Sequence, residues 1–263
     1  MELLGGFLAL RLDIPRSPAG PKPVVISLLD VHEPLTDAGM AVASYRQNWK
    51  VLKGLAPEAP PELPKNTVGS WLLAAPTPKT VGQGWFAMIG VDAETAIPEV
   101  LRYLETLPEV DMSRVAVMAS STKGFGAMRA TADRRIAVAV LLAACGDYHT
   151  FLHLSPLAMN GAPLDLDPHY EARLRRLEPI RHPGRFTHAA ILMINGTADT
   201  AVPVECARTT ARALSRAYAR AGVPERFRFV VIEGAAHSDL GTMAPPDIAV
   251  WLHRWLRPTP PER

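Results

Sequence analysis

Ser121, Asp199 and His237 are the three side chains whose types and order could carry out acyl transfer. A serine hydroxyl is a weak nucleophile until a base takes its proton during attack. A neutral imidazole can be that base, and a carboxylate behind it fixes the tautomer and stabilises the imidazolium that forms. Each of the three follows a short apolar run. Val115-Ala116-Val117-Met118 precedes Ser121, Ala189 to Ile194 precedes Asn195-Gly196-Thr197-Ala198-Asp199, and Phe227 to Ile232 precedes Glu233-Gly234-Ala235-Ala236-His237. Runs of that length read as buried strands, so all three residues are predicted on loops at one edge of a parallel sheet. Taken singly, Asp199 reads as a turn residue beside Gly196 and His237 as a surface histidine. The set gains weight from its order and from each member's place just past a strand.

The serine sits in RVAVMASSTKGFGAM, residues 114–128. A predicted strand turns there, at Ala119-Ser120-Ser121-Thr122-Lys123, into a small-residue segment, Gly124 to Ala130, that can wind into a helix. Such an elbow lifts a hydroxyl above the sheet and aims helix N–H groups at the atom it attacks. Strand and helix nearly touch, so small residues are wanted two before and two after the nucleophile. Ala119 meets that demand and Lys123 does not. The register of Gly124-Phe125-Gly126 favours Ser121 as the nucleophile. Thr122, flanked by Ser120 and Gly124, is one rival. Ser120 is another, because Ser120-Ser121-Thr122-Lys123 also reads as S-x-x-K, but that motif needs S-D-N and K-T-G partners and neither string occurs. A strand-to-helix turn without chemistry is the remaining reading.

The elements that must position these residues alternate along the chain. Phe7 to Ile14 reads as an edge strand and Val24 to Leu29 as a central one. From Asp37, residues Val42, Tyr45, Trp49 and Leu52 recur at helical spacing, and prolines from Pro57 to Pro64 make a loop. Trp71 to Ala75 is a strand. Ile97, Val100, Leu101, Leu104 and Leu107 stripe a helix that Thr95 can cap. Ile136 to Leu142 is a strand. Residues 145–187 break the rhythm and read as an insert above the sheet's C-terminal edge, where α/β ligands bind. Ala207, Ala211, Leu214, Tyr218 and Ala221 stripe one late helix; Ile248, Trp251, Leu252 and Trp255 stripe another. This alternation predicts an α/β architecture with a mostly parallel sheet of about seven or eight strands covered on both faces.

Composition narrows the partners. The 263 residues suit one domain spanning 1–263, with the insert as a cap. A hydrophobic fraction of 48%, a charged fraction of 21% and a net charge of +2 give no sign of a nucleic-acid or membrane partner. The start MELLGGFLALRLDIP lacks a basic n-region and meets Arg11 early, so a cytoplasmic location is expected. Cys145 and Cys206 read as buried reduced thiols. His149 and His153 lie four apart, but without an H-E-x-x-H pattern they read as packing or surface residues, and no metal site is expected.

Three segments, RVAVMASSTKGFGAM, NGTADTAVP at 195–203 and EGAAH at 233–237, carry a resemblance to the α/β-hydrolase superfamily, nearest its dienelactone-hydrolase and prolyl-oligopeptidase-like esterase branch. The resemblance runs from about Leu10 to Leu256. It implies a three-layer α/β-hydrolase fold, with Ser121 as nucleophile, Asp199 as acid, His237 as base and no cofactor. The oxyanion donors it implies are backbone N–H groups of Thr122 and of Val31 or His32. The chain departs from the family at Lys123, and at Leu29-Asp30, where relatives often carry His-Gly. Trp85, Phe86, Tyr148 and Phe151 are candidates to line an apolar pocket, which points to small, neutral ester substrates. The expected activity is carboxylic ester hydrolysis through an acyl-serine. A fold that binds without catalysis, and a peptidase or acyltransferase using the same triad, stand as alternatives.

Overall fold

The structure, a computed structural model, describes residues 2–4, 8–16, 19–29, 33–47, 89–90, 92–155 and 168–256. Eight strands form one sheet: β1 (Glu2–Leu4), β2 (Leu8–Asp13), β3 (Lys22–Ser27), β4 (Ala41–Gln47), β5 (Val110–Ser120), β6 (Ile136–Leu142), β7 (Ala190–Gly196) and β8 (Phe227–Ile232). Their spatial order is β1-β2-β4-β3-β5-β6-β7-β8. Only β2 runs against its neighbours; the pairs from β4 to β8 are all parallel.

Burial explains the central strands. Val115 to Ala119 are five consecutive buried residues in β5, and β7 is buried throughout. Strands covered on both faces carry unbroken apolar runs. The elbow helix Ser121–Ala130 and the C-terminal helix Pro245–Leu256 both pack on β5 and β6 and cover the two faces. The helix Val204–Arg220 lies on β7 and β8 with Ala207, Ala211, Leu214 and Tyr218 inward, as predicted, while Ala221, the last residue of the predicted stripe, caps the helix and is exposed. Its Tyr218 hydroxyl donates to the carbonyls of Phe186 and Ala189 at 2.6 and 2.8 Å.

Three expectations are corrected. The helix read from Asp37 is a short helix Glu33–Asp37 followed by strand β4. Ala41, Val42, Ala43 and Tyr45 are buried in it, and pairing with β2 on one side and β3 on the other overrides the local spacing. The strand starting near Phe7 is not the sheet's edge, since β1 lies outside it. The helix at Ile97–Leu104 begins without the Thr95 cap; a π-helical turn, Asp92–Ala96, leads into it instead. The strand read at Trp71 to Ala75 lies outside the described residues.

Candidate functional site

Ser120, Leu142, Ile194 and Val230 stand in one row across β5, β6, β7 and β8. The three chemistry-bearing residues lie beyond that row, on the same edge. Ser120 is still extended, with φ −129° and ψ 155°, and Ser121 then opens the helix at φ +55°. A left-handed conformation costs a non-glycine residue roughly 1–2 kcal/mol and survives only where neighbours enforce it. The elbow position thus falls to Ser121, with Ser120 in the strand and Thr122 buried in the helix. Gly124 shows how closely helix and sheet approach, since a Cβ there would lie 2.8 Å from Ala144 Cβ. Beside it Ala143, φ +45°, is the other non-glycine residue with positive φ among the described residues.

Asp199 and His237 are brought together by contact between two loops. A Cβ on Gly196 would fall 2.1 Å from the Ala235 carbonyl oxygen, so only glycine lets the loops after β7 and β8 touch. Ala198 N–H donates to that same oxygen at 3.0 Å, and Thr197 N–H donates to the Ile232 carbonyl. The Asp199 side chain is fully buried. Its Oδ1 accepts the N–H groups of Ala201 and Val202 at 2.9 and 2.8 Å. Its Oδ2 lies 2.8 Å from His237 Nδ1. A carboxylate only accepts, so the imidazole proton sits on Nδ1 and Nε2 is left as the accepting nitrogen.

The loop after β3 starts next to the elbow. Ser27 pairs with Met118, and Leu28 N–H donates to the Met118 carbonyl at 2.8 Å. Val31 and His32 lie outside the described residues, as do Trp85 and Phe86. Tyr148 and Phe151 are buried against Phe125 of the elbow helix, with ring centroids 5.9 and 4.7 Å away. A cavity of about 340 Å³ opens elsewhere, by Arg129 and Asp133 at the far end of that helix. His149 Nδ1 packs 3.1 Å from Glu178, and no group of three metal-ligating side chains occurs among the described residues. Cys145 and Cys206 are buried and reduced. No described helix is long and apolar enough to cross a membrane. Lys123 turns onto Asp92, 2.9 Å away, and Asp92 also receives the Tyr45 hydroxyl. Nothing in the sequence joined Asp92 to Lys123 or Tyr45, because the partners are 31 and 47 residues apart.

No protein-family model and no curated protein matches the sequence. Solved structures are similar to it. The Thermus thermophilus protein TT1662 matches over 98% of this chain and 97% of its own, at 20% identity and a TM-score of 0.65. A puromycin-hydrolyzing peptidase of Mycobacterium tuberculosis matches over 97% of this chain at 16% identity and a TM-score of 0.66; the chain spans 38% of that peptidase's length. A carbohydrate esterase family 15 glucuronoyl esterase from Caldicellulosiruptor kristjansonii matches over 94% of this chain and 72% of its own, at 18% identity and a TM-score of 0.61. Strand order, the single reversed strand, the strained serine after β5 and these likenesses lead to one conclusion: the chain has the α/β-hydrolase fold.

Proposed function

We propose that the chain is a serine hydrolase that cleaves carboxylic esters of small, neutral acyl groups. The observation that carries this reading is the buried Asp199 carboxylate bonded to His237 Nδ1, at the sheet edge where Ser121 stands in its strained turn. On this reading His237 Nε2 takes the Ser121 proton as Oγ attacks the ester carbonyl. Asp199 stabilises the imidazolium that results. The oxyanion is held by Thr122 N–H at the start of the elbow helix, where the helix dipole is positive, and by a main-chain N–H of Val31 or His32. The intermediate collapses to acyl-Ser121, and the imidazolium gives its proton to the departing alcohol. Water, deprotonated by His237, then attacks the acyl-serine, which releases the acid and returns the proton to Ser121. No step calls for a cofactor.

The test is hydrolysis of p-nitrophenyl butyrate by the purified chain, with Ser121→Ala as the control. Turnover that the substitution abolishes supports the proposal. Equal release by both proteins, or none by either, sinks it. A second reading, amide hydrolysis, is favoured by the likeness to a puromycin-hydrolyzing peptidase. The p-nitroanilide of the same acyl group separates the two.

A further inference from the structure

Lys123 stands in the first turn of the elbow helix, where two things oppose it. Helix and sheet approach closely, and the positive end of the helix dipole disfavours a cation. Its position is resolved by Asp92 in the π-helical turn Asp92–Ala96. Lys123 Nζ lies 2.9 Å from Asp92 Oδ1, and the Tyr45 hydroxyl of β4 donates to the same oxygen at 2.7 Å. The ammonium also stands 5.5 Å from the centroid of the Tyr45 ring, within cation–π range. Burial, with Asp92 beside it, pushes the Tyr45 phenol well above its ordinary pKa, so it stays a neutral donor. The Asp92 side chain is 2% exposed and that of Lys123 is 27% exposed. One carboxylate oxygen therefore joins β4, the π turn and the elbow helix.

Two more contacts lie on the same surface. Gly126 meets the π turn so closely that a Cβ would be 2.7 Å from Asp92 Cβ. Arg129 pairs with Glu94, also of the π turn. Lys123, Gly126 and Arg129 recur every third residue and so share one face of the helix. Single π turns often sit at functional sites, because the extra residue per turn redirects side chains. Here the turn presents Asp92 and Glu94 to that one face.

The geometry points to Asp92 as the positioning residue of the elbow. Its carboxylate, through Lys123, holds the first helical turn in place and, together with the close packing of Gly124 on the sheet, keeps Ser121 in its left-handed conformation. Loss of the tie lets the turn relax towards ordinary helix and moves the hydroxyl. The inference rests on the reading of Ser121 as nucleophile, while the mechanical tie is observable without it. Lys123, the residue that does not fit the small-residue pattern of an elbow, is the arm by which the tie reaches the turn.

The experiment compares the whole chain with D92N, K123M, K123R and the double variant D92N/K123M. Ester hydrolysis is read as kcat and KM, and hydrogen exchange by mass spectrometry reads the amides of residues 121–125. In D92N and K123M, kcat is expected to fall on the order of 10²-fold, the cost of an ångström-scale misplacement. KM is expected to stay within about twofold, since ground-state binding is not touched. K123R should recover most of kcat. The double variant should lose no more than the worse single one, because both act through one pair. Elbow amides should exchange faster in D92N and K123M, with those of the Val204–Arg220 helix unchanged. Losses that multiply in the double variant, or a raised KM with kcat intact, overturn the proposal. So does wild-type exchange at the elbow in every variant. Should D92N fail to fold, K123M against K123R gives the same comparison. A wild-type chain that neither hydrolyses the ester nor takes a serine-directed phosphonate refutes the nucleophile, and the exchange rates still decide the tie.

Discussion

Replacing Asp199 with asparagine exchanges one oxygen for an amino group and leaves the shape of the side chain intact. The structure dictates which way the new amide turns. Oδ1 of Asp199 is held by two backbone donors, Ala201 N–H at 2.9 Å and Val202 N–H at 2.8 Å. The asparagine carbonyl must keep that place, since the amino group would face two donors. The amino group then occupies the Oδ2 position, 2.8 Å from His237 Nδ1. A donor there requires Nδ1 to accept, so the imidazole proton moves to Nε2. A protonated Nε2 cannot take the serine proton. On the proposed chemistry this matters, because the same exchange of tautomer costs a serine hydrolase with a Ser-His-Asp triad ~10⁴-fold in kcat, about 5 kcal/mol of barrier. D199N is therefore expected to fold normally, bind substrate and turn over ~10⁴-fold more slowly. The assay is p-nitrophenyl ester hydrolysis, with circular dichroism as the folding control and the imidazole N–H resonances in NMR as the tautomer readout. Activity within about tenfold of wild type, with the Nδ1 proton still in place, would falsify the assignment of Asp199 and His237 as acid and base.

Other substitutions test the backbone around the site. Because Ser121 lies at φ +55°, Ser121→Gly should be more stable than Ser121→Ala by about 1 kcal/mol in urea denaturation, with both inactive. Equal stabilities would mean that the turn relaxes once the hydroxyl is gone. Gly196→Ala places a methyl group 2.1 Å from a backbone oxygen, which no side-chain rotation relieves. It should cost about 3 kcal/mol and part the loops of Asp199 and His237, read as a lowered Tm together with lost activity. Away from the site, hydrogen bonds from Arg135 hold the Asp133 carboxyl below its ordinary pKa. Its stabilisation is present above the ordinary carboxylate range and lost as pH falls through the lowered value. The pair is partly exposed, so screening keeps the contribution below about 1 kcal/mol. The stability gap between wild type and Asp133→Asn should be seen at neutral pH and close in strong acid.

Much of the sheet was legible because its central strands are buried on both faces and carry unbroken apolar runs, as in β5, β6 and β7. The order of serine, acid and histidine followed from what lies just past each run. The region from Asp37 misled because Val42 and Tyr45 are three apart, which suits a helix, while the small Ala41 and Ala43 that complete the buried set of β4 carry little periodic signal. The three residues of β1 are too few to show a period. The tie at Asp92 was illegible for a different reason. It joins β4, a π turn and the elbow helix through side chains 31 and 47 residues apart, and only the folded chain brings them together.

The position of β8 has a consequence for heat inactivation. It is the last strand of the sheet, bonded to β7 alone among the described strands, and none of its residues is fully buried. The strand before Ser121 lies in mid-sheet with five successive buried residues. On the proposed chemistry, the nucleophile leaves a mid-sheet strand with a buried run and the base leaves a strand with no fully buried residue. Local opening free energies follow burial and hydrogen bonding, so a sheet margin frays well below the temperature at which the core melts. A chain whose β8 has lifted keeps nearly all its secondary structure and has lost His237. Working life at high temperature would then be governed by the margin, and a melting curve read from the bulk of the sheet would overstate it. The place to reinforce such a protein is the seam where Arg228 of β8 meets Asp247 of the C-terminal helix at 2.8 Å.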